Sequence, residues 1–226
     1  MSTARMLRLD FRSAMRDLED GILLLGRRTQ HLVGVAMSAL EQASPELAAE
    51  VLAVDDEVDV TAHGLEEDLR GLVTLQAPVA DDLRLLLSLQ RVLIEVERIG
   101  DGCVNIARLG RDLAGAGGEA PELVAQMHEL GRRAERAVRT GLDSFGQRRR
   151  TVELVGEVED QIDLLHDGLT GRLIDHAAAG RAQTGWAVRM VLACRHLERI
   201  GDHAVNIAEE GSFVATGSRP LPRSLR

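Results

Sequence analysis

An eleven-residue phrase occurs twice in this chain, as ERIGDGCVNIA at Glu97–Ala107 and as ERIGDHAVNIA at Glu198–Ala208. The copies differ only at Gly102/His203 and Cys103/Ala204, and Glu97 and Glu198 are 101 residues apart. A phrase that recurs once per half-chain marks an internal duplication, and a duplication constrains architecture before local propensity is weighed.

The phrase reads as helix. Glu97, Asp101 and Asn105 are four apart and share one line, as do Glu198, Asp202 and Asn206. Val92, Val96, Ile99, Cys103 and Ile106 form an apolar stripe with the spacing of a core-facing helix. Glu97 follows Val96, so the acids border the buried stripe rather than crown the solvent side. Gly100 and Gly201 sit between the acids in both copies. A helix-interior Gly costs about 1 kcal/mol against Ala, so its position implies a close neighbour: a bulky group, or a second backbone in a tight helix contact.

A second echo lies upstream. VDDEVD carries Asp55, Asp56 and Asp59, and VEDQID carries Glu159, Asp160 and Asp163. Asp55/Asp59 and Glu159/Asp163 again pair at a spacing of four. A short connection makes the two acid-bearing helices of each half antiparallel, which gathers four carboxylates. Like charges that close raise one another's pKa, and a bound cation removes the penalty. Such sites suit Mg, Ca, Mn, Fe or Zn. The plainer reading is a solvated flank, paired with Arg98, Arg195 and Arg199. His63, His166, His196 and His203 lie where they could assist, although a surface role is the ordinary one for each. Asn105 and Asn206 could hydrogen-bond the carboxylates or be structural.

Apolar periodicity predicts six long helices: about 8–43, 46–75, 79–114, 121–147, one from about 151 to 179, and 184–214. Aromatics are only 2% of the chain, and Ala, Leu, Val, Glu and Arg dominate, which favours an all-α fold. The reading is two tandem pseudo-symmetric three-helix bundles, residues 1–114 and 122–215. A Gly-rich linker at 115–121 joins them, and a tail at 216–226 is expected to be disordered.

The net charge of −9 argues against a nucleic-acid binder, which shows a basic face. Arg148–Arg150 reads as a solvated helix end. Cys103 and Cys194 have no metal-ligand spacing and read as small buried hydrophobes. The N-terminus shows no leader-like apolar stretch, and no run reaches the ~20 apolar residues of a membrane span. The expectation is a cytoplasmic protein without membrane insertion. No phosphate loop, HExxH or nucleophile–base phrase is present, and the repeated segments lack the Glu-x-x-His of di-iron oxidases.

The doubled ERIGDxxxNIA phrase, the PVADDLR turn before its first copy and the upstream acid pairs resemble the PhoU family, over Phe11 to Glu210. The resemblance implies two tandem three-helix bundles with multinuclear iron or zinc clusters on their surface. One cluster would use Asp55, Asp59, Glu97 and Asp101, the other Glu159, Asp163, Glu198 and Asp202. It implies a cytoplasmic negative regulator of phosphate uptake and starvation signalling, not an enzyme. Its partners would be the ATPase subunit of the phosphate ABC transporter and a sensor histidine kinase, and it would often be a homodimer. The acid clusters taken alone also fit a carboxylate-bridged metalloenzyme, an oxidase or phosphohydrolase, and incidental acids on a helical scaffold are a third reading. Two departures stand out. The second half has AQTGWAVR in place of the DLR turn, and Gly102 replaces the His of the family's common GDHA wording, which His203 keeps. Trp186 reads as a core or interface anchor, and Trp186, Phe145 and Phe213 are candidate interface hot spots.

Overall fold

The computed structural model describes residues 3–76, 78–148 and 152–219. Six helices account for nearly all of them: α1 Thr3–Glu41, α2 Pro45–Gln76, α3 Ala80–Arg111, α4 Pro121–Gly146, α5 Val152–Ala177 and α6 Arg181–Thr216.

Local chemistry sets the breaks. Ala43 takes a φ of +46°, and Ser44 then caps α2, its Oγ accepting the Leu47 N–H at 3.2 Å. Pro45 follows in the first turn, where its missing N–H is no loss. Between α3 and α4, Gly115, Gly117 and Gly118 have φ of +72°, +31° and +96°, conformations open to glycine without steric penalty. α6 stops at Gly217, which has φ +74° and donates its N–H to the Phe213 carbonyl at 2.8 Å.

The boundaries depart from the sequence expectation by a few residues. α6 begins at Arg181 rather than Thr184: Gly180 is its N-cap, and the Gly180 carbonyl accepts the Thr184 N–H at 2.9 Å to close the first turn. Thr216, assigned to the tail, completes α6. Residues 220–226 of that tail lie outside the described residues.

α2 packs against α1 and α3, and α5 against α4 and α6. The halves join through α1 against α4 and α3 against α6, so these four helices form the centre and α2 and α5 flank it. One apolar core runs through both halves, including Ile22, Leu32, Val96, Leu130, Ile162 and Leu197. Matched glycines allow backbones to meet. A Cβ on Gly110 would stand 2.5 Å from the Ala39 carbonyl oxygen, and one on Gly211 would stand 2.8 Å from the Phe145 Cα. The third helix of each half thus presses directly on the first.

Two surface assignments change. Phe145 and Trp186 are buried in the core and present no surface anchor. Phe213 lies under two guanidiniums, Arg219 at 4.4 Å and Arg84 at 5.9 Å. Arg148 is not a free helix end, because it forms a paired ion bridge to the buried Glu19 at 3.1 and 3.0 Å. Arg149 and Arg150 lie outside the described residues.

Candidate metal centres

The first acidic face lies between α2 and α3. Asp55 is buried and Glu97 half-buried, while Asp59 and Asp101 are exposed. Burial pushes the Asp55 carboxyl up to about 6, with repulsion from Asp59, Asp101 and Asp56 adding to it and Arg108 opposing. Asp59 is raised by burial, then by Asp101 and Asp56. Glu97 is raised by burial, then by Asp59, Glu66 and Asp101. The four expected residues therefore act on one another across a single groove. Glu66 is a fifth, which the sequence reading missed; it lies seven after Asp59, two turns along the same helix face.

Gly100 explains itself here. A Cβ on it would stand 2.5 Å from the Asp55 Oδ1, so the missing side chain admits the Asp55 carboxylate against α3. Gly201 does something else: its Cβ would meet the Ile162 Cδ1 at 3.0 Å.

The second face lies between α5 and α6. Glu159 is buried, Glu198 and Asp202 are half-buried and Asp163 is exposed. Burial raises Asp163, with Glu198, Asp160 and Asp167 adding and His166 opposing. Burial also raises Asp202, with Glu198 and Asp163 adding and His203 and Arg195 opposing. Arg195 is ion-paired with Glu198.

Among the described residues, no three His, Cys, Asp or Glu side chains already enclose a metal position. The donor chemistry nevertheless fits a cation: oxygen ligands, charge that raises its own pKa values, and the cleared space at Gly100 that brings Asp55 to the groove. Cys103 and Cys194 are buried with their thiols pushed up by burial, which leaves them poor ligands.

The auxiliary residues divide. His63 is exposed and His166 lies 3.3 Å from Asp167. His203 is not a surface residue. It is buried, with Nδ1 2.6 Å from the Glu95 Oε2 on α3, and Asn206 donates to the same oxygen at 3.2 Å. Asn206 thus serves Glu95 rather than the acid pair on its own helix. These bonds hold Glu95 below its ordinary pKa against the opposing effect of burial. No spacing in the sequence pairs residues 95 and 203, which meet only because α3 and α6 cross antiparallel. The same holds for Arg91 and the buried Glu210, 3.5 Å apart, while Arg219, nine residues beyond Glu210, adds a second guanidinium at 2.6 Å.

Comparison with known proteins places this geometry. The PhoU domain family model matches residues 22–110 and again residues 127–211. A Deinococcus radiodurans protein named phosphate-specific transport system accessory protein PhoU homolog is 30% identical over 210 residues, covering 91% of this chain and 96% of that one. Its Pseudomonas aeruginosa namesake is 28% identical over 209 residues, covering 92% and 86%. The crystal structure of PhoU from Pseudomonas aeruginosa superposes with a TM-score of 0.86 at 27% identity, covering 92% of this chain and 100% of that one. The PhoU structure from Streptococcus pneumoniae, at 23% identity and a TM-score of 0.83 over 94% of this chain and 100% of that one, shares the fold.

Proposed function

Because the chain belongs to the PhoU family, we propose that it is an accessory protein of a phosphate-specific transport system, acting as a regulatory adaptor and not as an enzyme. The observation that carries this reading is the family match over both halves, each with its acid-bearing helix pair. Curated relatives that align over most of their length bear accessory-protein names. No helix among the described residues is long and apolar enough to cross a membrane.

In this reading the adaptor restrains phosphate uptake and starvation signalling by linking the transporter ATPase to a sensor histidine kinase. Asp55, Asp59, Glu97 and Asp101 would hold one iron or zinc cluster, and Glu159, Asp163, Glu198 and Asp202 the other. Bound metal would neutralise the carboxylates and fix the α2–α3 and α5–α6 grooves. The chain's own contribution is to aim these oxygens into two grooves.

The test is capture of the transporter ATPase and the kinase by the tagged full chain, at high and low phosphate, with phosphatase expression in a deletion strain. Recovery of either partner at high phosphate, with derepressed phosphatase on deletion, is expected. Recovery of neither, with expression unchanged, overturns the adaptor. Metal-dependent turnover of a phosphoester or of O₂ would instead favour the metalloenzyme. Light scattering on the same preparation reads whether the chain dimerises.

A further inference from the structure

The seam between α3 and α6 is built differently on its two sides. On one side Glu95 accepts from His203 and Asn206, with Arg98 3.6 Å away. The duplication puts His196 in the place of Glu95, Gly102 in that of His203 and Asn105 in that of Asn206. The second side therefore lacks the Glu95 carboxylate and has no side chain where the first has His203. A polar cleft of about 270 Å³ is found there, bordered by Arg98, Asp101, Asn105, His196, Arg199 and, from the first side of the seam, His203, with Gly102 and Ile200 completing its wall.

Two donors of this cleft are uncommitted, while Arg98 is shared with Glu95 at 3.6 Å. Among the described residues Arg199 has no carboxylate partner and the Asn105 side chain has no hydrogen bond. Two guanidiniums, an amide and an imidazole around a small polar space match the needs of a compact oxyanion. Asp101 is the single carboxylate on the rim. It repels a fully deprotonated anion but accepts a hydrogen bond from one that carries a proton.

We propose that this cleft binds a small protonated tetrahedral oxyanion, inorganic phosphate foremost. Gly102 borders it at the position where the other copy carries His203, and a side chain there would press on the cleft wall at Ile200. The site needs neither bound metal nor the adaptor partners, so its test stands apart from theirs.

The experiment is calorimetric titration of the full chain, stripped of metal with chelator, with inorganic phosphate and with sulfate at fixed ionic strength. Saturable one-to-one phosphate binding is expected. Arg199→Gln should weaken it by about tenfold or more, as the loss of a charge-assisted donor does, and Gly102→His should remove it. A Cβ at Gly102 would lie 3.0 Å from the Ile200 Cγ1, so that variant is checked for folding. Arg199 is exposed, so Arg199→Gln keeps the fold and carries the decision. Sulfate, which carries no proton at neutral pH, should bind more weakly than phosphate, and Asp101→Asn should narrow that difference. Absence of saturable phosphate binding, wild-type affinity in Arg199→Gln, or an equal loss in the distant Arg27→Gln overturns the site. Equal binding of sulfate and phosphate by the unaltered chain overturns the role of the proton.

Discussion

The two acidic faces share a motif but not the charges that surround it. On the α2–α3 face, burial and mutual repulsion raise Asp55, Asp59 and Glu97, and only Arg108 pulls the other way, on Asp55. On the α5–α6 face, Arg195 pairs with Glu198, Arg195 and His203 ease Asp202, and His166 eases Asp163. The glycine within each motif repeats the contrast, admitting an acid in one half and an isoleucine in the other. Duplication copied the acid set, and each half's neighbours then decided how far its charge is offset within the chain. The first face is left with more uncompensated carboxylate charge than the second, so under the proposed function it would depend on metal more.

The strongest way to break that comparison is to remove each face separately. The triple variant Asp59→Asn, Glu97→Gln, Asp101→Asn should lose metal affinity by more than about tenfold. Its counterpart Asp163→Asn, Glu198→Gln, Asp202→Asn should lose less. Competition with a chromophoric chelator for zinc or ferrous iron reads both. Equal losses would mean that the neighbouring cations are irrelevant.

Next in size is the pH dependence of metal-free stability. The Asp55 carboxyl rises from an ordinary value of 3.8 to about 6 on folding. Its protonated form therefore favours the fold, fully below about pH 4, and the benefit disappears as pH climbs through about 6. Asp55→Asn should match the chelated wild type near pH 4 and exceed it above pH 7 by about 1–2 kcal/mol, allowing for solvent screening. Asp163→Asn should show the same sign and a smaller gap. Denaturant titrations at several pH values decide, and no gap for Asp55→Asn would show that its groove is not strained.

These contrasts mark the limit of what the sequence disclosed. Helix period, the cap at Ser44, the proline that opens α4 and the spacing of the acids are local, and so the six helices and both acid sets could be read directly. The partners of Gly100 and Gly201 are not local; the sequence says only that something approaches. The Glu95–His203–Asn206 network and the Arg148–Glu19 bridge join residues more than a hundred positions apart. Both arise from helices crossing between halves, which no periodicity encodes. His203 and Arg148 were misread as surface groups for that reason.

The glycines give a smaller test. Alanine gains about 1 kcal/mol of helix propensity at either site. At Gly201 the Ile162 methyl can move aside, so Gly201→Ala should be neutral or slightly stabilising. At Gly100 the new methyl would displace the buried Asp55 carboxylate. Gly100→Ala should therefore be less stable than Gly201→Ala by about 1 kcal/mol, and should also weaken metal at the first face. Thermal melts with and without chelator separate the two effects. Equal melts would remove Gly100 as the reason Asp55 reaches the groove.

Arg195→Gln should have the smallest effect and is the most pointed. Its guanidinium is largely exposed while the Glu198 carboxylate is mostly covered. Exposed ion pairs contribute little, on the order of 0.5 kcal/mol, so the melting temperature should barely move. Metal affinity at the second face should nonetheless rise by about two- to threefold, because a cation would no longer compete with Arg195 for Glu198. Metal titration in the background lacking the first face isolates this change. A fall in affinity would mean that Arg195 holds Glu198 in a ligating pose, and the second face would then be the better prepared of the two.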